Sequence, residues 1–323
     1  MKKIIVCSVM VLLVVETGSI AGSTVFANAT EVENTYEETE EDLFFLVDNE
    51  EELESQMEEE NRYQCILTSA EETSERTLGN QIFSWDTYYD NESGTWGEIY
   101  VTENEETSLL LAEKNLSPTI VTNGIDIFYS ALDYELAEAA VYRRSIKDGT
   151  GEELFSVQGV DSYFSLAGYD NSVIYYIRGL DPGVFCGYEI TAEETTVFAE
   201  NVTNAQQNNQ FFYLEAYGGD AGNASEWRVF NASNGTVNLI TEHRCRLGRD
   251  TQEITENAVY YLEYMDEEIY HQTPVQVSLM RCAADGSNPE ILINNLEITE
   301  VIFLSENEID FKDASGTMAA MVY

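Results

Sequence analysis

Six times along the chain an aromatic strand is followed by a turn, a second strand, an acidic or glycine-bearing turn and an apolar run. The strand centres fall at Phe83, Phe128, Tyr175, Phe212, Tyr260 and Phe311, spaced by 45, 47, 37, 48 and 51 residues. A period of this size, carried by short strands, marks a radial β-repeat. The expected fold is therefore all-β, a six-bladed β-propeller over residues 61–323. A β-sandwich does not require six similar units, and a solenoid would use shorter and more regular ones. No extended amphipathic helical period appears outside Asp133–Ala140, which is long enough for only a turn or two.

The second unit shows the pattern in full. Thr119–Thr122 is an inner strand, Asp126–Ala131 the aromatic strand, Ala140–Ser145 the third and Glu153–Val157 the fourth. The last two are joined through Asp148-Gly149, a pair that tolerates positive φ in a tight hairpin. The first unit reads Gln81–Thr87, Gly97–Val101 and Ser108–Ala112, and the third Ser172–Arg178, Gly187–Thr191 and Thr195–Ala199. In the fourth, the strands are Gln210–Glu215, Glu226–Asn231 and Val237–Thr241; in the fifth, Ala258–Tyr264, Val277–Cys282 and Glu290–Ile293. Stretches such as Ile174-Tyr175-Tyr176-Ile177 and Val259-Tyr260-Tyr261-Leu262 are apolar or aromatic on both faces. That suits a strand sandwiched between neighbouring blades, and these tyrosines read as core rather than as a sugar-stacking surface.

The last unit offers only three strands, Val301–Leu304, Glu308–Phe311 and Met318–Val322, and so leaves an edge open. Tyr63–Thr68 is a strand without a unit of its own. The expectation is that Gln64–Leu67 closes the ring as the fourth strand beside Met318–Val322.

The N-terminus reads as a secretory signal over residues 1–29. Lys2 and Lys3 precede the apolar run Ile4–Val15, and Ala27-Asn28-Ala29 offers a small-x-small cleavage pattern. At 12 residues the run falls short of the roughly 20 needed to span hydrocarbon. The mature chain is expected to be secreted or extracytoplasmic, with cell-surface association open and no transmembrane segment after cleavage. Residues 30–60 hold 15 acids and no base and read as a solvated acidic linker, disordered or partly helical. From residue 61 onward there remain 44 acids against 13 bases. A surface this negative repels nucleic acid and anionic lipid.

Cys65, Cys186, Cys245 and Cys282 lie beyond the leader. Four cysteines in an exported chain permit disulfides in three connectivities, while burial as unpaired small hydrophobes remains equally open. No Cys-x-x-Cys pair occurs, which removes the usual zinc and thioredoxin-type readings.

The segment Leu279-Met280-Arg281-Cys282-Ala283-Ala284-Asp285-Gly286-Ser287-Asn288-Pro289-Glu290-Ile291-Leu292 resembles the strand, Asp-Gly-Ser/Thr-Asn, strand hairpin of TolB-like and YWTD-type propellers. It is similar in particular to a receptor-like propeller domain of unknown function found in exported bacterial proteins. Ile127-Phe128-Tyr129-Ser130, Ile174-Tyr175-Tyr176-Ile177 and Val259-Tyr260-Tyr261-Leu262 occupy the YWTD position. The Trp-Thr-Asp part is absent from every unit, so the polar network between blades does not carry over. The resemblance implies a six-bladed fold with an extracytoplasmic binding role, and it transfers no catalytic residue.

Chemistry-bearing motifs are scarce. His243 and His271 are the two histidines, and neither stands in a zinc or triad pattern. Gly-x-Ser-x-Gly, the P-loop and the calcium loop are absent. With 60 acids, no carboxylate pair of the glycosidase type can be singled out. Asp170, Asp181, Asp220 and Asp285 read as turn-stabilising residues. No catalytic residue, metal site or cofactor is expected. The one unusual cluster is His243-Arg244-Cys245-Arg246-Leu247-Gly248-Arg249. Its three arginines can pair with neighbouring acids, or, with His243, present an anion site. The functional expectation is a non-enzymatic module binding protein or carbohydrate outside the membrane; the alternative is a glycan hydrolase or lyase on the same scaffold.

Overall fold

The computed structural model describes residues 65–67, 75–78, 80–90, 94–117, 119–133, 135–158, 164–179, 182–217, 224–247, 251–265 and 274–323. Every regular element among them is a strand, and all named strand pairs are antiparallel. The leader and acidic linker expected before residue 61 lie outside the described residues.

Strand β1 (Cys65–Leu67) precedes a first group formed by β2 (Glu75–Leu78), β3 (Gln81–Asp90), β4 (Gly94–Glu103) and β5 (Glu106–Lys114). A second group follows in β6 (Thr119–Thr122), β7 (Asp126–Asp133), β8 (Glu138–Ser145) and β9 (Gly151–Gln158). From there one continuous sheet runs to the end of the chain. It comprises β10 (Phe164–Asp170), β11 (Val173–Arg178), β12 (Gly183–Glu189), β13 (Glu194–Asn208), β14 (Phe211–Tyr217), β15 (Ala224–Asn231) and β16 (Thr236–Cys245). It continues through β17 (Gln252–Ile254), β18 (Ala258–Tyr264), β19 (Val275–Ala283), β20 (Glu290–Leu304), β21 (Glu308–Asp313) and β22 (Met318–Val322).

Two of these strands each serve two groups over several residues, and β16 does so at the single residue Arg244, opposite Ser225 on β15 and Glu263 on β18. The early part of β13 pairs with β12 and its later part with β14, and Val202 is bonded into both ladders, to Gly183 and to Ala216. Ile298 does the same in β20, opposite Val275 on β19 and Asp313 on β21. Both pivots are fully buried and sit beside register shifts, where a strand bends sharply. The continuous sheet thus divides into a third group (β10, β11, β12, early β13), a fourth (late β13, β14, β15, β16), a fifth (β17, β18, β19, early β20) and a sixth (late β20, β21, β22).

The core lies between groups, because strand side chains alternate faces. Tyr176 and Ile174 of β11 pack towards Phe128 and Val121 of the second group, while Tyr175 and Ile177 pack towards Phe212 and Phe230 of the fourth. On β18, Val259 and Tyr261 join Tyr213 and Trp227, whereas Tyr260 and Leu262 join Val301 and Phe311. One apolar cluster fills each of the five junctions between consecutive groups. Each fully buried aromatic contributes about 1.5–3 kcal/mol by leaving water, so these junctions dominate the stability. The strand tyrosines are core, as their two-sided pattern predicts.

Polar stitches register the groups against one another. Gln207 donates through Nε2 to the Tyr169 carbonyl (2.8 Å) and accepts from the Tyr169 N–H (3.1 Å), which binds β13 to β10 like a short extra ladder. This approach requires Gly168, where a Cβ would come within 2.1 Å of Gln207 Oε1. Asn208 Nδ2 donates to the Thr255 carbonyl (3.0 Å), and Thr119 and Ser165 share a hydroxyl bond of 2.9 Å.

Three sequence expectations are corrected here. The N-terminal strand does not complete the last group. Instead β1 pairs with β6, Cys65 opposite Val121 and Leu67 opposite Thr119. Every residue of β6 is buried, so its backbone away from β7 needs a partner; an unpaired buried group costs about 1–3 kcal/mol. Along β22 the side chains are mostly exposed, and water can satisfy the edge there. Secondly, β12 begins at Gly183, four residues before the expected Gly187. Thirdly, the outer strand of one group and the inner strand of the next are single 15-residue strands in β13 and β20.

Candidate functional site

Short turns between paired strands are held by their own side chains. In the β4–β5 turn, Asn104 and Glu105 both take positive φ (51° and 68°), the two-residue hairpin whose twist matches the flanking strands. In the β6–β7 turn, Asn123 Oδ1 accepts from the N–H groups of Ile125 (3.0 Å) and Asp126 (2.7 Å), and Gly124 supplies φ of 85°. Thr122 Oγ1 accepts from the Gly124 N–H (3.0 Å) and donates to the Asp126 carbonyl (2.8 Å). Asp148, Asp285 and Asp313 cap later turns in the same way, and hydrogen bonds from Thr150, Ser287 and Ser315 hold their carboxyls below the ordinary range. Asp285 therefore has the turn role expected of it. Asp181 and Asp220 lie outside the described residues.

Between the first two of these turns lies a groove of about 670 Å³. Gln81, Asn104, Thr107, Ser108 and Lys147 supply polar groups, and Ile125 and Ile146 supply aliphatic surface. Its lips are held by the side-chain bonds just described and by the Ile146 N–H bond to the Ile125 carbonyl (2.9 Å). The walls thus precede any ligand. Sequence reasoning missed this groove because its residues come from separate turns of two units; the available signals were Asn104 and the Asn123-Gly124 pair.

The fold gives the described residues of the basic cluster singled out from the sequence different environments. Arg244 is buried at the end of β16, ion-paired with Glu215 of β14 and stacked over the Trp227 ring, 4.5 Å from its centroid. Burial first, then the charge of Arg246, presses the Arg244 guanidinium below its ordinary pKa, while Glu215 supplies the compensating charge. Arg246 is half exposed, 3.6 Å from the other Glu215 oxygen. His243 donates its backbone N–H to Thr241 Oγ1 (3.0 Å). Arg249 lies outside the described residues, as does His271. The structure brings Arg244 and Arg246 together on one carboxylate, the internal pairing that the sequence reading offered beside an anion site.

Cys186, Cys245 and Cys282 are buried free thiols in three different apolar clusters. Burial raises all three, to about 11 for Cys245 and about 12 for Cys282, so they stay protonated and inert at neutral pH. Among the described residues, no three His, Cys, Asp or Glu side chains are grouped to hold a metal ion. No helix among them is long and apolar enough to cross a membrane.

No protein-family model matches the sequence, nor does any curated protein. Similar solved structures include TolB from Acinetobacter baumannii (11% identity, TM-score 0.42), with 75% of this chain and 63% of TolB covered. The β-propeller domain of the Trilobed protease from Pyrococcus furiosus is 8% identical, at a TM-score of 0.45 over 73% of this chain and 75% of that one. An uncharacterised Listeria monocytogenes protein is 8% identical, at 0.44 over 81% and 83%. The chain spans less than two thirds of TolB's own length. None of the three reaches a TM-score of 0.5, and the reading of the fold rests on the strand pairing itself.

Proposed function

We propose that this chain is an exported, non-enzymatic β-propeller that binds a protein or carbohydrate ligand, with the six strand groups as its blades. The groove between the turns of the first and second groups carries this reading. It is preformed, and its mixture of amide, hydroxyl and aliphatic surface suits hydroxyl-bearing or peptide ligands. The radial arrangement is supported by the five inter-group cores and by Val202 and Ile298, which turn the sheet from one group into the next. Apolar side chains also remain on the outward faces of the two terminal groups, Ile82 and Leu109 on one and Phe303, Met318 and Val322 on the other. Packed on each other, these faces would close the ring without an added strand.

A glycan array and a pull-down with the mature chain test the binding reading. Gln81→Ala and Ile125→Asp are expected to weaken the captured ligand at least about tenfold while leaving the unfolding midpoint in place. Undiminished binding in both variants moves the site elsewhere. Release of cleaved product from a bound glycan replaces the non-enzymatic reading with the hydrolase or lyase one.

A further inference from the structure

Beside the inter-group cores lie the outer strands of adjoining groups, and the wedge of space between those strands is filled differently from junction to junction. Between the second and third groups, the Phe155 ring stacks on Tyr188 with centroids 4.0 Å apart, and the Tyr188 hydroxyl donates to the Leu154 carbonyl (3.2 Å). Between the fourth and fifth, the turn bearing Gly286 leans onto Val229 and Ile240, and Asn238 Nδ2 donates to the Asp285 carbonyl (3.2 Å). Both wedges are sealed from within.

Among the described residues, the wedge between the third and fourth groups is left open. Its floor is closed by Phe198 against Phe230 (centroids 4.5 Å apart), but above it Val197, Val237 and Leu239 are 50%, 36% and 48% exposed. The space measures about 570 Å³, and Ala199, Glu200, Asn201 and Arg228 complete its lining.

We propose that this wedge docks an extended basic polypeptide segment carrying aliphatic side chains at alternate positions. Four observations carry the assignment. The exposed aliphatic residues come from two strands, and Val237 and Leu239 stand two apart, a spacing that alternate side chains of a third strand match. The outer segments Glu194–Glu200 and Thr236–Thr241 are each laddered on one side only among the described residues, by β12 and β15, which leaves backbone donors and acceptors for an added strand. The one cation in the lining is already engaged, because Arg228 pairs with Glu226 (2.5 Å) and donates to the Glu200 carbonyl (3.5 Å). Glu194, Glu200 and Glu242 on the same strands are exposed, on a chain of 44 acids and 13 bases beyond residue 60. The wedge therefore selects apolar contact and positive charge together. It lies on strands of other groups than the groove between the turns and stands independently of it.

The test uses the full mature chain and a labelled heptapeptide alternating lysine and valine, followed by fluorescence anisotropy. A peptide of the same composition with its valines clustered, and one with glutamate in place of lysine, serve as controls. The alternating peptide is expected to bind at least about tenfold more tightly than either control, and Val197→Ser combined with Leu239→Ser to remove that preference. Thermal unfolding of the double variant checks that the fold is intact, and Val237→Ser provides a second, single probe of the same wall. The proposal is overturned if alternating and clustered peptides bind equally, if the serine variants bind like the parent, or if no binding is seen up to about 1 mM. It is also overturned if the chain forms a dimer that the serine variants abolish, since the wedge would then take a second copy.

Discussion

The junctions on either side of the fourth group are built from the same ladder of strands, yet one is sealed and the other open. The difference lies in their turns. In the fifth group the turn after β19 spans residues 284–289 and bends back onto its neighbour, with Gly286 at φ of 79° lying against Val229 and Ile240. In the fourth group the turn after β15 is the shorter 232–235, and Gly235, at φ of 71°, has nothing within 4 Å of where a Cβ would stand. A repeat therefore sets the strands, and on the two sides of the fourth group the length of a turn separates the sealed wedge from the open one, whereas between the second and third groups the Phe155–Tyr188 stack does the sealing.

The sealed junction also contains the buried Arg244–Glu215 pair, and breaking it is expected to have the largest effect. Arg244→Ala leaves the buried Glu215 with only the half-exposed Arg246, 3.6 Å away, and strips the stacking partner from Trp227, a loss at the low end of about 3–5 kcal/mol in urea unfolding. Replacing both, Arg244→Met with Glu215→Leu, is expected to recover most of that loss. If the double variant is as unstable as the single one, packing on Trp227 rather than charge holds this end of the junction.

The two turn glycines give a paired measurement. Gly286→Ala combines a left-handed conformation with a Cβ placed 2.8 Å from Val229 Cγ1, and is expected to cost about 2–4 kcal/mol. Gly235→Ala meets open space and carries only the conformational cost, about 1–2 kcal/mol. Equal losses from the two would show that the longer turn does not seal its wedge.

Buried thiols make the sealed junction sensitive to alkali. A thiol raised by folding ionises first in the unfolded chain, so its contribution is intact below the ordinary value of 9.0 and is lost as pH climbs towards the folded one. For Cys282 in this junction and Cys245 in the next, that window runs from about 9 to about 12 and about 11. Each is expected to lower the unfolding free energy by roughly 1.4 kcal/mol per pH unit within it. Unfolding at pH 8, 9 and 10 measures this, and a stability that is flat to pH 10 contradicts it. In native protein at pH 8 these thiols are expected to resist a disulfide reagent that labels them in denaturant.

The open wedge should show the smallest response. Val197→Ser with Leu239→Ser removes half-exposed side chains and is expected to change stability by under about 1 kcal/mol. A larger loss would mean that these residues pack against the fold rather than wait for a partner.

Strand positions were largely legible along the chain. Thr119–Thr122, Ala258–Tyr264 and Met318–Val322 stand where their composition places them, because β-branched and aromatic runs between turn residues have few other ways to fold. The two-sided apolar pattern of Ile174–Ile177 likewise revealed that both faces of this strand are covered. The basic cluster was legible as a charge anomaly, and its partner was not, since Glu215 lies 29 positions before Arg244 and is one acid among 60.

By itself, then, the amino-acid order determined the elements: their period, their turn chemistry and which strands carry large side chains on both faces. These are local properties, governed by backbone sterics and by the period-2 alternation of side chains. The tertiary structure decided what lies next to what. It sent Cys65–Leu67 to the buried edge of Thr119–Thr122, fused outer and inner strands through the pivots Val202 and Ile298, and left one wedge open between two that are sealed. Those outcomes depend on unpaired backbone and unfilled volume summed across distant segments, quantities that exist only once the strands are packed together.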